Sequence, residues 1–160
     1  MTFVKKMEII LQNFVDENGF DVGVAVEPYN EWMYCPDTEE VVVSFHCEED
    51  LDVLFKEQCV KWGLEWNCPN FLLSFFHECF HHLTKEFVSE FDWNMPVYYT
   101  TLNWIMKDEI TEQDYINYFS TYREKIATCN AIEYINHNKD LVLELWKQLI
   151  ELSEEYKYGR

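Results

Sequence analysis

Apolar residues between positions 3 and 17 fall at Phe3, Met7, Ile10, Leu11, Phe14 and Val15, the three-and-four spacing of one helix face. Asn18-Gly19 stops that pattern. The period then changes to two. Val22, Val24 and Val26 alternate, and "WMYC" and "EVVVSF" flank the turn chemistry of "PDTE", so residues 20–45 read as a small antiparallel sheet of about three strands.

Helical spacing returns after the sheet. Glu48, Glu49 and Asp50 open a helix with face Leu51, Leu54, Phe55, Cys59 and Trp62, which Gly63 closes. The next helix, capped by Asn67 or Cys68 with Pro69 near its first position, runs to about Glu90. Pro96 marks an irregular crossing in "WNMPVYYT", followed by a short helical piece, "TLNWIMK". Thr111, with Asp114 three residues on, caps a helix whose periodic residues run from Tyr115 to about Asn136, with a break near Ser120. Asp140 caps a last helix with the stripe Leu141, Leu145 and Leu149 beside Val142, Trp146 and Ile150. No linker, repeat or low-complexity tract interrupts the order. The expectation is one α+β domain over residues 1–160: an N-terminal helix, a small antiparallel sheet, then helices.

Composition narrows the class. With 48% hydrophobic and 18% aromatic residues, the 160-residue chain has enough apolar surface to bury a core. No uncharged apolar run reaches 18 residues, so no membrane span is expected. The N-terminal segment reads as a helix and not as a signal peptide, because Glu8 and Asp16 break its apolar run and no small-residue cleavage site follows. The six cysteines, at 35, 47, 59, 68, 79 and 129, include no C-x-x-C pair, and they read as buried thiols in a reducing cytoplasm. A net charge of −18 argues against direct nucleic-acid binding, since such a surface repels phosphate. The same charge keeps an aromatic-rich chain soluble, or presents a phosphate-like face to a basic partner.

One helix carries chemistry. In "NFLLSFFHECFHHLTKEF", residues 70–87, His77, Glu78 and His81 form H-E-x-x-H within an apolar run. Positions i and i+4 share a helix face, so both imidazoles can reach one ion. The adjacent Glu78 can take a proton from a water without being a ligand. His82 points elsewhere. Buried polar groups without partners cost about 1–3 kcal/mol each, so the alternative is a hydrogen-bonded polar network in the core. A catalytic zinc takes three protein ligands. The third is sought among Glu86, Glu90, Asp92, Asp108, Glu109, Glu112, Asp114, Glu124, Glu133 and His137. An extended three-histidine H-E-x-x-H motif is absent. Glu124 is favoured, because Glu124, Ala127, Thr128, Ala131 and Ile135 share one face, and small side chains let another helix come close. His137 is the runner-up. An oxyanion donor could be Tyr98, Tyr99, Tyr118 or Tyr122, among which the sequence does not choose.

The buried H-E-x-x-H helix paired with a later E-x-x-A-[NT]-x-x-A resembles the ImmA/IrrE-type minimal zincin metallopeptidases of bacteria, phages and mobile elements. The segment "YCPDTEEVVVSF" is similar to the hairpin that precedes the active helix in that group. The resemblance implies a compact zincin-like α+β fold, Zn²⁺ held by His77, His81 and Glu124, Glu78 as general base, and a protein or peptide substrate. It also implies a cytoplasmic setting, the host cytoplasm for a phage-encoded, stand-alone member. The chain departs from the family pattern where Phe80 replaces the usual Gly and Thr128 the usual Asn, and in the long interval from His81 to Glu124. The alternative reading is a non-catalytic acidic interaction or inhibitor protein, a nucleic-acid mimic with structural zinc or none. Oligomeric state is left open.

Overall fold

The computed structural model describes residues 1–28, 31–45, 63–99 and 111–158. Residues 48–62 of the expected helix, the piece "TLNWIMK", Asp108, Glu109, Cys47 and Cys59 therefore lie outside the described residues, as do the side chains of Tyr98 and Tyr99.

Helix α1 spans Phe3–Glu17. The Thr2 hydroxyl caps it by accepting the Lys5 N–H at 3.2 Å. Phe3, Met7, Leu11, Phe14 and Val15 are buried, as the spacing requires. Gly19 turns the chain out of the helix at φ +74°, a conformation that favours glycine.

Strands β1 (Gly23–Glu27), β2 (Met33–Cys35) and β3 (Glu40–Ser44) form one sheet in the order β1-β3-β2. β2 and β3 are an antiparallel hairpin, but β1 runs parallel to β3. The sheet is thus mixed, which corrects the antiparallel expectation. Val41, Val42 and Val43 are all buried, so β3 is apolar on both faces and takes the central place. β1 alternates, with Val24 and Val26 buried. Its outer edge is met by side chains of α1. Gln12 Oε1 accepts the Val24 N–H at 2.8 Å and Gln12 Nε2 donates to the Val22 carbonyl at 3.1 Å. Glu8 Oε2 accepts the Val26 N–H at 3.2 Å.

Helix α2 spans Asn70–Thr84 and tightens into one 3-10 turn at Lys85–Phe87. Pro69 occupies its N-cap without a side-chain bond, so neither Asn67 nor Cys68 caps it. Helix α3, Glu90–Tyr99, continues through Pro96, where an irregular crossing was expected. Proline removes one amide donor, but the start of α3 is well secured. Ser89 Oγ accepts the Asp92 N–H at 3.1 Å and donates to Asp92 Oδ2 at 2.9 Å.

Helices α4 (Glu112–Phe119) and α5 (Tyr122–His137) are separated at Ser120–Thr121, where the break was expected. Thr111 and Asp114 form the expected capping box. Helix α6, Lys139–Tyr158, begins before Asp140, which sits in its first turn and is not its cap. Its buried stripe is Val142, Leu145, Leu149 and Leu152, while Leu141 is exposed.

The core forms where α1, α2 and α5 meet. Phe76 lies 5.6 Å from Phe14 and 5.1 Å from Tyr134 between ring centroids, and Phe20 closes the group at 5.2 Å from Tyr134. α6 packs on α1, and α5 lies along α2. The architecture is α+β among the described residues: a helix, a three-stranded mixed sheet, then five more helices. No described helix is long and apolar enough to cross a membrane. Cys35, Cys68, Cys79 and Cys129 are thiols that form no disulfide among the described residues. Cys68 and Cys79 are buried as expected, whereas Cys35 is half-buried and Cys129 exposed, since the helical phase of α5 turns it away from the Ala127–Thr128 face.

Candidate metal centre

α2 is the most enclosed helix of the site, and it places His77, Glu78 and His81 in the protein interior. The two imidazoles stand one turn apart and nearly perpendicular, with ring centroids 4.6 Å apart and an interplanar angle of 84°. Their Nε2 atoms are 3.0 Å apart. Each of His77, Glu78 and His81 offers a ligand atom within 4.8 Å of the others, so the three form a group that could hold a metal ion.

The expected small-residue face of α5, Glu124, Ala127, Thr128, Ala131 and Ile135, is buried, with Ile132 buried beside it. Alanines leave nothing beyond Cβ to keep the helices apart, and this lets the short Glu124 carboxylate reach α2. Glu124 is 1% exposed. Its Oε2 lies 2.7 Å from His77 Nε2 and 2.9 Å from His81 Nε2. Thr128, one turn further along α5, places its hydroxyl 2.9 Å from His77 Nδ1. Three potential ligand atoms therefore converge from two helices.

The other acids and His137 are elsewhere or engaged. His137 is exposed and its Nδ1 lies 2.8 Å from the Glu133 carbonyl of its own helix. Asp114 is held in the capping box and Asp92 by Ser89. Glu86, Glu90, Glu112 and Glu133 are exposed. His82 leaves the site as expected, with its Nδ1 2.7 Å from the Tyr34 hydroxyl.

Sequence reasoning did not anticipate what surrounds the second oxygen of Glu124. Oε1 accepts from Arg123 Nε at 3.1 Å, from Arg123 Nη2 at 2.8 Å and from the Tyr118 hydroxyl at 3.1 Å. Arg123 also donates through Nη1 to the Trp93 carbonyl at 2.9 Å, with its guanidinium carbon 5.1 Å from the indole centroid. Neighbouring residues on a helix do not face each other. The long arginine side chain nevertheless reaches the adjacent carboxylate through two nitrogens.

Electrostatics follow from this packing. Burial alone would raise the Glu124 carboxyl, but hydrogen bonds from His77 and His81 outweigh it and hold the group well below the usual carboxylate range. Burial pushes the His77 imidazole down, yet the Glu124 bond and charge win and its pKa is raised. Burial, reinforced by the Glu124 charge, pushes the Tyr118 phenol up, so it stays protonated and donates.

Whether these residues suit a metal is a question of donors and spacing. A tetrahedral zinc with ligands at about 2.0–2.1 Å sets its ligand atoms roughly 3.3 Å apart. The two imidazole nitrogens and Glu124 Oε2, at 2.7, 2.9 and 3.0 Å, need to open by roughly 0.3–0.6 Å to reach that spacing. His81 Nδ1 is buried and has no hydrogen-bond partner among the described residues. The Thr128 hydroxyl can accept from His77 Nδ1–H, which fixes the ring and frees Nε2 to ligate a cation in place of its hydrogen bond to the carboxylate. Two imidazoles and a carboxylate are also the donor set zinc takes in hydrolytic sites. The residues fit.

A cleft of about 230 Å³ opens beside this centre, lined by His77 and Glu78 together with Trp32, Leu73, Tyr118 and Phe119, among others. Of the expected oxyanion candidates whose side chains are described, Tyr118 lies there and Tyr122 is exposed. A second cleft of about 250 Å³, beyond Phe119 and Thr128, has no histidine or carboxylate among its described lining residues. No protein-family model, curated protein or solved structure matches the chain.

Proposed function

We propose that the chain is a zinc-dependent metallopeptidase of the ImmA/IrrE-type minimal zincin kind, with His77, His81 and Glu124 as ligands and Glu78 as general base. The observation that carries this reading is the convergence of His77 Nε2, His81 Nε2 and Glu124 Oε2 to within 3.0 Å, beside a cleft that Glu78 lines. Glu124 is preferred to Glu78 as third ligand because it approaches both nitrogens most closely.

Bound there, zinc would lower the pKa of a water toward ~7 and polarise the scissile carbonyl. Glu78, on the same helix as the two histidines, takes a proton at its carboxylate and returns it to the leaving amine. Thr128 holds the His77 ring by its Nδ1. The apolar walls given by Trp32, Leu73 and Phe119 exclude water around the reacting bond and favour an apolar side chain of a peptide.

Metal analysis of the purified chain tests the reading. About one zinc per chain is expected, lost in His77→Ala. Absence of zinc from the wild-type chain, even after incubation with the ion, rejects it. Glu78→Gln should keep zinc and abolish peptide hydrolysis.

The charge of −18 favours a second reading, an acidic protein that occupies a basic partner's nucleic-acid surface. Partner capture that weakens with salt and survives Glu78→Gln would support it over catalysis.

A further inference from the structure

We infer that Arg123 and Tyr118 are positioning residues that restrict Glu124 to one ligating oxygen, Oε2, and so keep a coordination position open. This rests on the zinc reading above. The two carboxylate oxygens have different surroundings. Oε1 receives three donor groups, two from Arg123 and one from Tyr118, whereas Oε2 faces the two imidazole nitrogens and no other hydrogen-bonding group among the described residues. A carboxylate free to rotate can give both oxygens to one metal. Here rotation would break three hydrogen bonds at once.

Arg123 is itself fixed. Its third nitrogen donates to the Trp93 carbonyl, and its plane lies near the Trp93 ring. Trp93 also meets the His81 ring edge-on, with centroids 5.9 Å apart. α3 thus steadies one imidazole directly and the carboxylate through Arg123. A zinc site that performs hydrolysis needs a position left for water or substrate, and single-oxygen ligation by Glu124 preserves it. Simple charge neutralisation predicts something different, because any cation at this position would then serve.

The 160-residue chain, stripped and reloaded with zinc or cobalt, provides the test. Arg123→Lys keeps the charge and loses the two-pronged grip. It should weaken zinc binding by about 10–100-fold in chelator competition. It should also weaken the visible absorption of the cobalt form, as coordination rises above four. Tyr118→Phe should change the cobalt spectrum in the same sense with a smaller loss of affinity. Arg123→Gln should resemble Arg123→Lys. Where it does not fold, the other two variants decide. Wild-type affinity and an unchanged cobalt spectrum in both Arg123→Lys and Tyr118→Phe would overturn the inference while leaving the metal site standing. A wild-type chain that binds neither ion would overturn both.

Discussion

His81 Nε2 and Glu124 Oε2 stand 2.9 Å apart although 43 residues separate them in the chain. The contact joins α2 to α5 through a carboxylate that is 1% exposed. Removing that carboxylate leaves Arg123 half-buried without its main partner and strips the histidines of their anion. Glu124→Ala should therefore lower the stability of the metal-free chain by roughly 3 kcal/mol, measured by urea unfolding with chelator present. It should also abolish zinc binding. A fully stable Glu124→Ala chain that still takes up zinc would show that the carboxylate has neither role.

Thr128 offers a finer probe. Thr128→Val keeps the shape and deletes the hydroxyl 2.9 Å from His77 Nδ1. The unpaired nitrogen should cost about 1–3 kcal/mol, and zinc affinity should fall about tenfold. Thr128→Ser should restore most of both. Equal affinity in Thr128→Val and wild type would mean that the hydroxyl does not orient the ring.

Close approach of α5 to α2 depends on residues without bulk. Ala131 is fully buried on the packed face. Ala131→Leu should destabilise by about 1–3 kcal/mol through overpacking, and by prying the helices apart it should weaken zinc binding more than its stability cost suggests. Thermal melts with and without zinc separate the two effects: the stabilising shift given by the ion should shrink in the variant.

Glu8 gives a pH dependence away from the site. Its pKa is lowered chiefly by the hydrogen bond from Lys5, against the raising effect of burial, with the Val26 amide adding to the fall. A carboxyl whose folded pKa lies below its ordinary value of 4.5 stabilises the fold above that value, and the contribution disappears as pH falls through the folded pKa. The stability difference between wild type and Glu8→Gln should be full near neutrality and shrink in acid below ordinary carboxyl titration. Unfolding curves at pH 7, 4 and 3 would check this, and a pH-independent difference would contradict it.

Much of this was legible because it is local. The α1 stripe, the Thr111–Asp114 capping box, the break at Ser120 and the small-residue face of α5 are all written within a few residues of one another. Strand order is not local. Which strand lies in the middle depends on burial on both faces, and the only sequence trace is the unbroken Val41-Val42-Val43 run. α3 was obscured by Pro96, although Ser89 and Asp92 carried the signature of a helix start. In the last helix Val142, Leu145 and Leu149 are buried as the periodicity requires, whereas Leu141, apolar and at the helix start, is exposed. The role of Arg123 left no trace, since a charged residue beside a glutamate reads as solvated surface until a tryptophan from another helix arrives.

The bonds from Gln12 and Glu8 to Val22, Val24 and Val26 have a bearing on life in a crowded solution. A three-stranded sheet is small, and a bare rim of amides and carbonyls is a template for any passing strand. Along β1 that row is already occupied by side chains of the preceding helix. The chain thereby denies aggregation a foothold on this rim without adding a fourth strand.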